Sequence, residues 1–292
     1  MSNPLLIKRR KNKILKPSME NRRLYFLLKF SYNKSLFTSS RLAELHSLNN
    51  IYTSYKNINQ FMPKVSFNYN FKKDAWSWVL IAKDQKCWGI RWKDQVDFIP
   101  DNLLEKILKK NRKNAEFLVY KYLISRPKRE MYKTTIREEI LTLKKIWRKI
   151  ENKFFEKLKK VIQKPIFTDS FKCYFTSGFM CPYNEKENWF MVSVWHSVPK
   201  SITTICHEIL HLQFLHYYKD YCMKFLSKKQ TEDLKESLTF LLNTNFNDLL
   251  LCEDFGYPAH RKLRKKLEKI WQREKNFKQF LDKAIKTIKR NF

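Results

Sequence analysis

The chain has 292 residues, 43% of them hydrophobic, which is enough to bury a sizeable core and excludes global disorder. Only three glycines are present and no GxGxxG or Walker-type run occurs, so glycine-rich phosphate-binding loops are excluded. Sixty Lys and Arg against 28 Asp and Glu give a formal net charge of +32, an excess that attracts polyanions, although lysines that solvate helix faces give the same count.

The N-terminal MSNPLLIKRRKNKILK sets charges where a secretory signal needs an apolar core, and no window approaches the roughly 18 apolar residues of a membrane span. The expectation is a soluble, cytoplasmic protein with no membrane partner. Its six cysteines form no CxxC pair and are expected to be free thiols in a reducing compartment.

Residues 1–20 read as a basic N-terminal arm. Residues 21–132 read as a mainly helical, aromatic-rich region. Between Tyr25 and Met62 the apolar spacing suggests helices, with Ser39 or Ser40 as an N-cap. The aromatics at 66–98, Phe67, Trp76 and Trp78 among them, are expected to pack in a core. Helices are predicted from Asp101 or Asn102 through Leu108, from about Asn114 to Ile124, and from Thr134 or Thr135 to just before Pro165.

At Pro165 the pattern changes. IFTDSFKCYFTSG, FMCPYN and NWFMVSVW read as short strands separated by Gly178 and the 184–188 stretch. SVPKSITTICHEILHLQFLHYY then reads as one buried helix starting near Pro199 or Ser201. A second helix is predicted over roughly Thr231 to Leu250, and a terminal one from about Ala259 to Ile288. The fold class expected is α+β and mostly helical, with a short mixed sheet; residues 133–292 form the chemistry-bearing core.

The HEILH run carries that chemistry. On a helix of 3.6 residues per turn, His207 and His211 stand about 40° apart around the axis, so both imidazoles reach one cation. Glu208, about 60° from His211, lies at the edge of that face, where it contacts water beside the cation without occupying a ligand position. His216 falls on the opposite side of the helix, and no glycine intervenes to turn the chain back. Among the downstream carboxylates, Glu232 and Asp233 have a sufficient explanation in helix capping and dipole effects, whereas Glu236 lies a turn deeper. Glu236 is the favoured third ligand and Glu232 the alternative.

A sheet, an HExxH helix and a downstream helical glutamate resemble the gluzincin metallopeptidases, of which thermolysin is a member, over about residues 166–250. The resemblance implies a zincin-like core and Zn2+ held by His207, His211 and Glu236. It also implies Glu208 as the general base, a peptide or protein substrate, and an edge strand near Trp189 to Trp195 that binds it. Tyr257, His260 and His196 are candidate transition-state donors. In thermolysin an Asp follows the ligand glutamate by four positions; here that position is Phe240, which leaves the partner that should orient a histidine unidentified. The competing expectation, from the charge, is a nucleic-acid-associated protein that binds through its basic surface, with a structural or secondary metal site.

Overall fold

The computed structural model describes residues 62–83, 86–87, 90–91, 94, 97–274 and 276–291. The predicted arm and the predicted helices before Met62 lie outside the described residues. The fold is α+β and mostly helical around a small mixed sheet. Among the described residues, no helix is long and apolar enough to cross a membrane.

The sheet begins with an element absent from the sequence-based expectation. Strand β1 (Lys64–Tyr69) alternates exposed Lys64, Ser66 and Asn68 with buried Val65 and Phe67, the period of two that half-buries a strand. It pairs in parallel with β4 (Ser170–Thr176), and β4 pairs in parallel with β6 (Trp189–Ser193); β5 (Tyr183–Asn184) closes the edge antiparallel to β6. The order is therefore β1-β4-β6-β5. All five β6 residues are buried, as a strand covered on both faces requires. A separate two-stranded pair joins β2 (Lys86–Cys87) and β3 (Ile90–Arg91).

One sheet face is covered by helix α1 (Phe71–Lys83), where Trp76 meets Trp189 edge-on and the Lys73 ammonium lies 4.0 Å over the Trp189 ring. Behind α1, helices α2 (Asp101–Lys109) and α3 (Arg112–Ser125) add Leu103, Ile107, Ala115, Val119 and Leu123 to a small core centred on Trp78 and Val79. Buried Asp74 ties this layer to the end of β4. Its carboxylate accepts from the Ser177 amide at 2.8 Å, from the Ser177 and Thr176 hydroxyls, and from Tyr69 Oη at 2.8 Å.

The other face holds the main core. It packs on helix α4 (Arg129–Ile162), through Phe154, Phe155 and Leu158, and on helix α5 (Val198–Met223). Buried Glu151 of α4 accepts from the Val65 amide at 2.9 Å and from Trp147 Nε1 at 2.8 Å, so it joins helix and edge strand by two otherwise orphaned donors. The boundary expected between 132 and 133 falls within α4, and β1 belongs to the same sheet as the strands after Pro165.

Helix α5 opens where Ser197 accepts from the Lys200 amide, with Pro199 in its first turn, and is buried around much of its circumference. The expected helix 231–250 is instead two. A Ser227–Gln230 capping box starts α6 (Lys228–Ser237), and α7 (Phe240–Asn245) follows after a break. The break comes where amides 241 and 242 bond to carbonyls only three residues back and the Thr239 hydroxyl is turned onto Asp254. Likewise the expected terminal helix divides into α8 (Arg261–Arg273), preceded by a short 3-10 turn at Pro258–His260, and α9 (Phe277–Asn291). There Asn276 accepts from the Gln279 amide and caps a new helix.

Candidate metal centre

Buried helix α5 carries His207 and Glu208 and, one turn on, His211, with the two imidazole centroids 4.2 Å from each other. Ligand atoms of these three residues lie within 4.8 Å of one another. The break after α6 delivers Glu236 to the same point: its Oε2 stands 3.5 Å from His207 Nε2 and 3.5 Å from His211 Nε2. Glu236 and His211 are almost wholly buried, yet Glu236 Oε2, both ring nitrogens of His211 and Glu208 Oε2 have no hydrogen-bond partner. Buried polar atoms are expected to be satisfied, so convergent nitrogen and carboxylate donors without partners fit a bound cation. Two imidazoles and one carboxylate form a borderline donor set that suits zinc.

The pKa shifts follow from the same crowding. Burial opposes a charge on His207, but the Asp254 and Glu236 carboxylates outweigh it and raise its pKa to about 10. A metal ion would take the place of that proton. His211, deeper and beside His207, is pushed well below the usual histidine range by burial, chiefly, and stays a neutral imidazole. Burial works against ionised Glu236 too, yet the positive charges of Lys235 and His207 hold it well below the ordinary carboxylate range. Glu208 goes the other way: burial foremost, with Glu236 and Asp254 adding repulsion, pushes it up to about 8.

Two surrounding residues were not found from sequence. Asp254 Oδ2 lies 2.7 Å from His207 Nδ1, the position of a carboxylate that fixes the ring and its tautomer. Asp254 is itself held by Arg264 Nη1 at 3.0 Å, by the Thr239 hydroxyl at 2.8 Å, and by a two-way pairing of its backbone with the Asn243 amide. The signal available in the sequence was Gly256, one of only three glycines: its φ of 60° marks a turn that an L side chain rarely adopts. The second is Lys235, whose buried ammonium lies 2.9 Å from Glu236 Oε1, 2.9 Å from Glu232 Oε2 and 2.8 Å from Tyr183 Oη. Glu232, the alternative third ligand, is thus engaged with Lys235, and Glu236 is the carboxylate at the histidines.

A cavity of about 180 Å³ opens on the site. Phe179, Cys181, His196, Asp254 and Tyr257 line it together with His207 and Glu208. Of the three candidate donors, Tyr257 and His196 therefore face the cleft. His260 does not line it; it is buried, with Nε2 3.1 Å from Asp233 Oδ1. Burial, chiefly, and then Lys200 lower His196 to about 4, so it is a neutral imidazole at pH 7. His216 stacks on Phe167 with centroids 4.5 Å apart. Of the stretch Trp189 to Trp195 expected to bind substrate, β5 covers only Trp189 and Phe190, through Asn184 and Tyr183, and the segment before β5 bears Phe179 and Cys181, which line the cleft. No protein family, curated protein or solved structure matches the chain.

Proposed function

We propose that the chain is a zinc-dependent metallopeptidase with a zincin-like core of the gluzincin kind, working in the cytoplasm. The observation that carries this reading is the convergence of His207 Nε2, His211 Nε2 and Glu236 Oε2, with 3.5 Å from the carboxylate oxygen to each ring nitrogen, in a buried site where His211 Nε2 and Glu236 Oε2 have no hydrogen-bond partner. When bound there, zinc supplies Lewis acidity that polarises a scissile carbonyl and acidifies a water.

The chain's own groups do the rest. Glu208, at the open side of the site, accepts the water's proton and returns it to the leaving amine. Asp254 holds the His207 ring, and Lys235 holds Glu236 through its other oxygen. Tyr257 and His196, on the walls of the cleft, are placed to donate to the developing oxyanion. The free thiols of Cys173, Cys181, Cys206, Cys222 and Cys252 suit a reducing compartment.

Elemental analysis of the purified protein, paired with a peptide-library cleavage assay on wild type and Glu208→Gln, tests the proposal. The expected result is stoichiometric zinc in both proteins and cleavage by wild type alone. A wild type without zinc, or a variant that cleaves as fast as wild type, refutes it.

A further inference from the structure

A second cavity, of about 490 Å³ and largely apolar, lies between α4, the α3–α4 junction and the segment that leads into α5. Met131 and Trp195 stand at its walls with 64% and 55% of their surfaces exposed, unusual for side chains of that size and hydrophobicity. Trp195 is not loose: its Nε1 donates to the Ser177 carbonyl at 2.7 Å, which fixes the indole as a preformed wall.

Inside this apolar lining is a guanidinium that meets Tyr132 and has no acidic side chain beside it among the described residues that line the cavity. The Arg126 guanidinium stacks on the Tyr132 ring, 3.5 Å from the centroid, and its Nε and Nη2 are buried with no hydrogen-bond partner. Lys128 adds a second positive charge, and no acidic side chain is among the described residues that line the cavity. A planar fork of unsatisfied N–H donors in apolar surroundings matches a carboxylate, which it can bind bidentately. The cavity also adjoins the metal cleft through one short stretch of chain: Trp195 lines the apolar cavity and the next residue, His196, lines the cleft.

We propose that this cavity is a substrate subsite for a peptide residue that presents a large apolar side chain together with a carboxylate, with Arg126 as the carboxylate receptor and Trp195 and Met131 as the apolar walls. Its standing as a substrate subsite rests on the peptidase reading; its ligand chemistry does not. The carboxylate comes from either of two sources, the C-terminus of a peptide or a neighbouring acidic side chain.

Binding is measured by calorimetry on the full chain, treated with chelator so that no metal competes for the carboxylate. The probes are acetyl-Ala-Phe, its C-terminal amide, and acetyl-Asp-Phe-amide. At least one carboxylate-bearing probe is expected to bind about tenfold or more tighter than acetyl-Ala-Phe-amide, the scale of a charge-assisted pair. Preference for acetyl-Ala-Phe assigns the chain terminus, and preference for acetyl-Asp-Phe-amide assigns an acidic side chain. Arg126→Met is expected to abolish the preference, Arg126→Lys to retain part of it, and Trp195→Ala to weaken all three probes. Equal binding of acid and amide, no binding of any probe, or a preference that survives in folded Arg126→Met overturns the proposal. Peptide cleavage, read separately on the zinc-loaded protein, reports on the peptidase reading: a carboxylate preference without cleavage sinks that reading and leaves the pocket.

Discussion

Replacing Asp254 by Asn tests the candidate site through a residue that is not one of its ligands. The substitution keeps the shape but removes the charge that faces His207 Nδ1 at 2.7 Å and Arg264 Nη1 at 3.0 Å. Loss of a carboxylate that orients a ligating histidine lowers metal affinity by about 10- to 100-fold, or roughly 1.4–2.7 kcal/mol. A second cost falls on folding. Arg264 is buried, and a buried charge that loses its partner costs about 3–5 kcal/mol. Arg264 keeps the Asp254 backbone carbonyl, at 2.6 Å from Nη2, and the Thr239 hydroxyl as acceptors, which places the expected loss at the low end, about 3 kcal/mol.

The two costs are separable. Zinc affinity is read by competition with a chromophoric chelator, and folding stability by urea denaturation in excess chelator, where bound metal cannot contribute. If Asp254→Asn binds zinc within threefold of wild type, Asp254 does not orient a ligand. If its metal-free stability is also unchanged, the Arg264 ion pair is not the support described here.

Three further perturbations follow from the same geometry. Gly256→Ala places a Cβ 2.8 Å from Arg264 Nη1 at a φ of +60°, so Arg264 must shift; zinc affinity is expected to fall in the same direction as in Asp254→Asn, and unchanged affinity in the chelator competition counts against the coupling. Glu151→Ala removes the acceptor for the Val65 amide and Trp147 Nε1 and should cost about 2–4 kcal/mol in a urea melt, where a loss below 1 kcal/mol refutes the tie between α4 and β1. Burial raises the carboxyl of half-buried Glu139, whose Oε1 has no hydrogen-bond partner, to about 7. The folded chain therefore binds this proton more tightly than the unfolded chain. Its contribution to stability is retained below the ordinary carboxylate range and lost as pH rises toward 7, with nothing further lost above. Glu139→Gln should be more stable than wild type at pH 8, by the order of 1 kcal/mol after solvent screening, with the advantage gone at pH 4; a pH-independent difference in melting temperature refutes the assignment.

What was readable in the sequence was local in origin. The HEILH spacing follows from the helical repeat, and the strands after Pro165 and the buried helix α5 follow from runs of apolar residues bounded by turns. Glu236 was legible because a carboxylate a full turn inside a helix has no capping role to explain it. Strand β1 was not: Val65, Phe67 and Tyr69 alternate as a strand, but they sit among so many other aromatics that their period of two is lost, and their partner strand lies about a hundred residues further on. The division of 231–250 into α6 and α7 escaped for a related reason. Intrinsic propensity favours one helix there, and the break is made by a tertiary bond from Thr239 to a residue fifteen positions on.

That break also explains why the orienting carboxylate sits where it does. In an unbroken helix the position four residues after Glu236 lies on the same face as the glutamate, and here that position is Phe240, buried in the core. Because the helix stops at Ser237, Thr239 and Asn243 project toward the returning chain instead, and between them they hold Asp254 against His207. The orienting group thus comes from a loop whose position depends on α7 behind it and on Arg264 of α8 beneath it. Assembly of the histidine site is in this way coupled to docking of the C-terminal helices, so substitutions at Arg264, which reaches the ligands only through Asp254 and Thr239, should act on metal affinity and on folding together.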